Sequence, residues 1–224
     1  MATKPSPVAR RSGSSGKDKD GKGSLVELVV IVVVALGLAL GIQQFLVKPF
    51  RIPSESMVPT LQVGQRVLVD RVSPRFSDPD RGDIVVFKPP HGADDELDDG
   101  GQCGAPTKPN QACTRPTPKR SDTHFIKRVI GVPGDTLYIE QGRVWLKGKD
   151  GRFHQQKEPF ILPDSACETC NLKEPITIPK GHFFMMGDNR GNSTDSRVWG
   201  PVPKKWIIGG AFFTYWPPKR IGTP

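Results

Sequence analysis

Scarce cysteine and missing motifs narrow the class of protein before any site is considered. Only 4 of 224 residues are Cys, too few for a disulfide-dense miniprotein, and the 24 Gly follow no Gly-X-Y period, which excludes collagen. A hydrophobic content of 36% is too high for a wholly disordered chain. G-x-S-x-G and H-E-x-x-H are absent, and the four histidines show no metal-ligand spacing. We therefore expect no bound metal and no cofactor.

An excess of positive charge is present but is unevenly distributed. The net charge is +9, and residues 1–24 hold six bases and two acids, which supply +4 (6 − 2) of it. A concentrated basic tail explains much of the excess without a nucleic-acid partner, so bulk charge says little about binding. We expect no nucleic acid to be bound.

One long apolar run separates this tail from the rest of the chain. Residues 1–24 are rich in Ser, Gly and Lys and are predicted to be disordered, whereas residues 25–47 carry Glu27 as their only charge. A helix of that length crosses a hydrocarbon core of about 30 Å. Because bases precede the run, we expect a cytoplasmic amino terminus and an exported segment 48–224. A cleaved signal peptide is the alternative, but its small residues lie inside the apolar run, which favours an uncleaved anchor.

The exported segment has the pattern of an antiparallel, mainly β domain. Short runs rich in β-branched and aromatic residues are separated by Gly and Pro turns. The predicted strands are 66–72, 83–87, 124–132, 135–140, 143–147, 182–187 and 206–216. Residues 140–143 (EQGR) predict a tight hairpin. Two stretches, about 88–122 and 150–180, break the pattern and are interpreted as irregular surface insertions.

All four cysteines fall in these two stretches. Cys103 and Cys113 form a C-x9-C pair, and Cys167 and Cys170 form a C-x2-C pair. Four thiols could form a zinc site, but an exported segment lies in an oxidising environment where thiols pair. We favour the local disulfides Cys103–Cys113 and Cys167–Cys170, while zinc or other pairings stay open.

Three polar blocks stand out against the β pattern. In residues 53–64 (PSESMVPTLQVG), two prolines bracket Ser54 and Ser56 and stiffen the backbone that presents them. Lys127 lies within an apolar strand, where alternation places it on one face with Phe125 and Val129. Residues 187–197 (GDNRGNSTDSR) are densely polar and follow another apolar strand. Taken alone, each block has an ordinary structural interpretation. Residues 53–64 are typical of a turn, Lys127 of an exposed lysine on a strand, and residues 187–197 of a solvated loop.

In combination, the blocks closely resemble those of the bacterial type I signal peptidases, also called leader peptidases. The resemblance covers about residues 25–216 and rests on residues 53–64, 81–87 (RGDIVVF), 127–135 (KRVIGVPGD) and 187–200, in the family's order behind an amino-terminal anchor. Family members commonly have Asp where this chain has Gln65, a departure outside the reacting groups.

The resemblance implies a membrane-bound serine endopeptidase that removes signal peptides from exported preproteins after small-x-small sites. It implies Ser56 as nucleophile and Lys127 as general base, with an oxyanion hole formed by the Ser56 backbone N–H and the Ser54 hydroxyl. The implied supporting residues are Ser193, which orients the lysine, and Arg128, Asp188, Asp195, Arg197 and Gly187. The implied walls of the substrate pockets are Phe50, Ile52, Met57, Leu61, Val86 and Ile126.

A lysine serves as a base only when neutral, so we expect burial to lower its pKa toward 7–8. Ser56 follows Val47 by nine residues, which predicts a site at the outer surface of the bacterial plasma membrane, with the lipid bilayer and possible translocon neighbours as partners. The main alternative is a catalytically silent, membrane-tethered binding module. Self-cleaving repressor-type proteases and penicillin-binding-protein-like acyltransferases fit less well, because a DNA-binding region and the K-T-G motif are missing.

Overall fold

The computed structural model describes residues 20–93, 103–104, 111–162 and 170–224. The chain divides into two compact units after Gly41. Helix α1, Asp20–Phe45, begins five residues before the predicted start of the apolar run and ends before its predicted end. Val47, predicted to close the helix, instead begins a strand that contains Pro49, a residue that disfavours helical backbone at its own and the preceding position. The predicted disorder of residues 1–19 lies outside the described residues.

Within helix α1, Ser24–Ile42 is long and apolar enough to cross a membrane. Its mean hydropathy is 2.9, and none of its residues is buried. A buried core helix of a soluble domain would be covered by other elements. The helix therefore meets the length and composition expected of a membrane anchor.

Seven antiparallel strands form the larger sheet of the second unit. They are β1 (Val47–Arg51), β2 (Arg66–Asp70), β3 (Ile84–Phe87), β4 (Phe125–Gly131), β9 (His182–Met186), β10 (Val202–Pro203) and β11 (Ile207–Trp216). Their spatial order is β1-β2-β11-β3-β4-β9-β10. Strand β3, near the centre of this sheet, is a continuous apolar run, and every one of its residues is buried. The antiparallel, mainly β prediction is confirmed.

Four further antiparallel strands form a smaller sheet. They are β5 (Thr136–Glu140), β6 (Arg143–Lys147), β7 (Phe153–Gln155) and β8 (Leu172–Thr177), in the order β7-β6-β5-β8. The predicted hairpin joins β5 to β6, with Glu140 paired to Arg143. Gln141 and Gly142 have φ values of 49° and 72°, the left-handed conformation that such a two-residue turn requires.

The interpretation of residues 150–180 as an irregular insertion is wrong for two segments. β7 and β8 both pair within the smaller sheet, and Leu172 and Ile176 are buried. The prediction failed at β8 because Pro175 interrupts its sequence and because three exposed residues, Lys173, Glu174 and Pro175, separate its two buried ones. β8 is an edge strand, which tolerates a proline that a central strand does not.

The other predicted insertion, residues 88–122, also contributes to the protein interior through the part of it that the structure describes. Ala93 and Ala112 belong to apolar clusters, and Cys113 is buried. Cys103 and Cys113 form a disulfide with a Cα–Cα distance of 5.8 Å. Cys170 is also disulfide-bonded. Cys167 and the acidic residues 94–99 lie outside the described residues, so the Cys167–Cys170 pairing stays a prediction.

Apolar packing joins the two sheets. One cluster combines Ile130, Phe184 and Met186 of the larger sheet with residues of the smaller one, including Leu137 and Ile139. Each such side chain contributes roughly 1.5–3 kcal/mol when it leaves water. This packing holds the two sheets in a fixed relation. The larger sheet and the segments that follow β1 and β9 carry the polar blocks.

Candidate active site

Ser56 lies in a short 3₁₀ helix, Glu55–Met57, that follows β1. Met57 and Leu61, on either side of Pro59, are fully buried and anchor this segment to the sheet. Ser56 itself is only 7% exposed, and its Oγ lies 3.2 Å from the Ser54 Oγ. The two hydroxyls that the sequence brackets between prolines are therefore neighbours in space.

Lys127 lies in the middle of β4, where it pairs in register with Val85 of β3. Only 3% of it is exposed, and its Nζ lies 5.7 Å from the ring centroid of Phe125, as the alternation predicted. Burial lowers the pKa of Lys127 from 10.5 to about 8. Asp195 and Asp188 oppose that shift, whereas the positive charge of Arg197 adds to it. A substantial fraction of this amine is therefore neutral in mildly alkaline water.

The segment that carries Ser56 packs against the strand that carries Lys127. Among the described residues, the Ser56 Oγ bonds to Ser54, and no hydrogen bond joins it to the Lys127 Nζ. Catalytic hydrogen bonds are often long before substrate binds and tighten in the complex. The arrangement therefore suits a serine and a buried amine that complete their contact on substrate binding.

Arg128 and Asp188 form the first of three buried ion pairs among the described residues near this site. The guanidinium donates from Nε and Nη2 to the two carboxylate oxygens of Asp188 at 2.9 and 2.7 Å. It also donates to the Gly82 carbonyl at 2.7 Å and lies 4.0 Å from the ring centroid of Phe160. Such a bidentate pair fixes β4 to the loop after β9.

Asp195 and Arg197 form the second pair. Arg197 donates from Nε and Nη2 to the Asp195 carboxylate, both at 2.8 Å, and Asp195 is fully buried. Burial alone would raise the pKa of Asp195, but Arg197 and its other hydrogen bonds hold that pKa below its ordinary value. Asp195 therefore favours its ionised form next to Lys127.

The hydroxyl of Ser193 makes a different contact from the implied one. It donates to Asp195 Oδ2 at 2.8 Å, and its described hydrogen bonds include none to Lys127. Gly187 donates its backbone N–H to the same carboxylate oxygen at 3.0 Å. In this arrangement Ser193 acts on the lysine through Asp195, and a direct orienting contact stays a prediction.

The position of Gly187, the first residue of the polar loop, leaves no room for a side chain. A Cβ at this position would collide with the Ser193 hydroxyl and with the Ser56 carbonyl oxygen. The main chain of the loop therefore passes directly against the residue that carries the candidate nucleophile. Any larger residue would push these segments apart.

Asn189 is a contact of the serine segment that the sequence did not single out. Its backbone N–H donates to the Ser56 carbonyl at 3.1 Å, and its side-chain amide donates to the Glu55 carbonyl at 3.3 Å. Asn189 lies within the polar block 187–197, and that position was the only sequence feature that could have indicated its role. Asn189 ties that block to the 3₁₀ helix.

A third buried ion pair, between Arg190 and Glu158, was also missed. Arg190 is 1% exposed and donates to Glu158 Oε1 at 2.5 Å, to the Gly187 carbonyl at 3.0 Å and to the Gly142 carbonyl. Glu158 also accepts the Val144 N–H at 3.1 Å. Glu158 lies in a stretch without pattern, 32 residues from its partner, so the sequence offers no signal for it. The pair links the β5–β6 hairpin to Gly187.

We expect Glu158→Gln to destabilise the protein by about 3–5 kcal/mol, because it leaves the buried Arg190 guanidinium without its counter-charge. Denaturant unfolding of the full chain measures this change. Glu174→Gln removes a carboxylate from an exposed position on β8 and is the matched control. Equal stability of the two variants would contradict a structural role for the pair.

The six predicted substrate-pocket residues gather in one apolar cluster. They are Phe50, Ile52, Met57, Leu61, Val86 and Ile126. Phe50 is half-buried and the others are buried, so most of their surface supports the serine segment. Their role as pocket walls stays a prediction.

The remaining polar residues of interest lie in other environments. Gln65 is buried and donates to the Thr214 hydroxyl at 2.8 Å, which joins the serine segment to β11. His154 pairs with Asp150, the His124 ring lies tilted against the Phe50 ring at a centroid distance of 5.5 Å, and His182 contacts a backbone carbonyl. In the part of the chain that the structure describes, no group of three His, Cys, Asp or Glu residues has the arrangement of a metal site.

Comparison with known proteins gives a consistent result. The family model described as signal peptidase, peptidase S26, matches residues 25–216. A probable signal peptidase I-2 of Synechocystis sp. is 36% identical over 95% of this chain and 83% of its own length. Signal peptidase I of Leptolyngbya laminosa is 35% identical over 97% of this chain and 93% of its own. Signal peptidase I of Bacillus licheniformis is 30% identical over 92% of this chain and 96% of its own.

Proposed function

The chain belongs to the signal peptidase family, peptidase S26, and from this premise we propose how its residues divide the catalytic work. It is a serine endopeptidase that removes signal peptides from preproteins. The residues that perform this reaction are assigned below from their contacts, burial and charge.

In the proposed mechanism, neutral Lys127 removes the proton from the Ser56 hydroxyl as its oxygen attacks the carbonyl carbon of the scissile bond. The observation that carries this assignment is a lysine, 3% exposed, whose pKa is about 8. The ammonium formed then protonates the leaving amine, so the peptide bond breaks and an acyl-enzyme remains. Water, deprotonated by Lys127, hydrolyses the ester and regenerates Ser56.

The negative charge of the tetrahedral intermediate needs fixed donors. We assign this role to the Ser56 backbone N–H and the Ser54 hydroxyl, which lies 3.2 Å from the nucleophilic oxygen. Arg128, Asp188, Asp195, Arg197, Ser193 and Gly187 hold the two reacting segments in place. The apolar cluster around Ile52 and Ile126 supports shallow pockets for small residues before the cut.

Incubation of the purified full chain with a preprotein that carries an Ala-x-Ala site tests the function. We expect one cleavage after the second alanine, identified by sequencing the new amino terminus. Binding of the preprotein without cleavage would favour the silent membrane-tethered module instead.

The protein is membrane-associated, and we propose its domain organisation and orientation. Residues 1–24 form a cytoplasmic tail, 25–47 contain the single span, and 48–224 form the catalytic domain outside the bacterial plasma membrane. The six bases of the tail support this orientation. The bilayer and, nearby, the secretion translocon are the proposed partners.

We expect protease added to intact, wall-free cells to degrade residues 48–224 and to spare the tail. Immunoblots against a tag at each terminus measure the two outcomes, and cells lysed with detergent provide the control in which both tags are lost. A carboxyl-terminal tag that survives in intact but not lysed cells would refute the orientation.

A further inference from the structure

A groove of about 540 Å³ shares no residue with the proposed catalytic site. Four cationic side chains line it, Arg71, Arg75, Lys204 and Lys205, together with Ile207 and Ile208. No acidic residue lines it in the part of the chain that the structure describes. We refer to it as the basic groove.

One of the four cations of the basic groove is paired with a carboxylate, and two others are exposed. The Lys204 Nζ forms an ion pair with Asp78 at 2.6 Å, and 60% of the Asp78 side chain is exposed to water. Arg75 and Lys205 are exposed, and no described carboxylate lies within ion-pair distance of either. Guanidinium and ammonium groups are the side chains that bind phosphate oxygens most strongly. The volume falls in the range of pockets that hold small ligands.

The basic groove lies close in the chain to the candidate span. The Arg71 backbone N–H donates to the Leu46 carbonyl at 2.9 Å, where the first strand pair begins. Leu46 follows Ile42, the last residue of the candidate span, by four residues, so at most about 14 Å separates their Cα atoms. The groove is therefore within reach of the lipid headgroups that surround the end of a span.

Apolar side chains beside the groove favour a lipid over a free anion. Phe76, which follows Arg75 at the end of the short helix Ser73–Phe76, is 85% exposed, and Leu46 is 44% exposed. Aromatic residues beside cations are typical of the interface between water and hydrocarbon. A soluble phosphate ion would gain nothing from either side chain.

We propose that the basic groove binds the phosphate of an anionic phospholipid headgroup at the membrane surface. Arg75 and Lys205 contact the phosphate, while Phe76 enters the interface. This site holds the second unit against the bilayer by contacts additional to the anchor. It depends neither on the catalytic assignment nor on which side of the membrane residues 48–224 occupy.

Lipid binding by the full chain in neutral detergent micelles tests the proposal. Native mass spectrometry measures the bound fraction during titration with phosphatidylglycerol, with phosphatidylcholine, and with inorganic phosphate at matched concentrations. The test variant is Arg75→Gln/Lys205→Gln. The control Lys149→Gln/Lys157→Gln removes the same charge from exposed positions near β6 and β7.

We expect phosphatidylglycerol to bind more tightly than phosphatidylcholine, and its affinity to fall about 25-fold at low salt in the test variant, or about fivefold per cation. The control and the lipid-free melting temperature should not change. Equal loss in both variants, or equal binding of both lipids, would overturn the groove as an anionic-lipid site. Inorganic phosphate binding as tightly as phosphatidylglycerol would assign it to a soluble anion instead.

Discussion

We expect Lys127→Met to lose about 10⁴-fold or more of the cleavage rate while the protein stays folded and membrane-bound. Methionine keeps an unbranched apolar side chain within β4 but has no basic nitrogen, so the Ser56 proton has no acceptor. Purified full-length variants assayed on one preprotein measure the effect.

Two further substitutions separate loss of a base from loss of charge. Lys127→Arg keeps the positive charge but should be equally inactive, because a guanidinium stays protonated and accepts no proton. Lys147→Met changes an exposed lysine of β6 and should leave cleavage unchanged. Substantial activity in Lys127→Met would refute the lysine mechanism, and the base would then be sought among the histidines.

Ser56→Ala is expected to lose a comparable factor, on the order of 10⁴ to 10⁶, because it removes the attacking oxygen. Its stability should change little, since among the described residues the Ser56 hydroxyl has one side-chain hydrogen bond to lose, the one to Ser54. Ser77→Ala, at an exposed position, is the matched control.

The two losses should not add. A nucleophile and its base act as one unit, so the double variant should be about as inactive as either single variant. Additive losses would show that Ser56 and Lys127 act in separate steps. Retention of cleavage by Ser56→Ala would place the nucleophile elsewhere.

The sequence predicts the central part of this protein well, for a physical reason. Strands β2 to β6 have continuous or alternating apolar runs bounded by Gly and Pro, and the hairpin turn needs the left-handed backbone that Gly142 adopts. The burial of Lys127 was similarly predictable, because its neighbours on the same face of β4 are Phe125 and Val129.

Other features depend on contacts that a local pattern does not contain. The Arg190–Glu158 pair joins the loop after β9 to the segment after β7, 32 residues apart in the chain. The hydrogen bond from the Ser193 hydroxyl to Asp195 depends on the folded shape of their loop. Strand β1 was missed because Val47 continues the apolar run of the helix in the sequence. Its pairing with Asp70 depends on the folded sheet, which the local pattern does not show. Edge strands with proline, such as β8, are the hardest to predict.

The pH dependence of kcat/KM for the wild-type full chain tests most directly whether Lys127 acts as a neutral base. Its pKa of about 8 predicts a rate that rises as Lys127 loses its proton, by about 50-fold between pH 6 and pH 8, and then reaches a plateau. Asp195 adds no step in that range, because its pKa lies below the ordinary carboxyl value. A rate that levels off below pH 6.5 would contradict the account, because that is where a histidine such as His124, with its lowered pKa, would titrate.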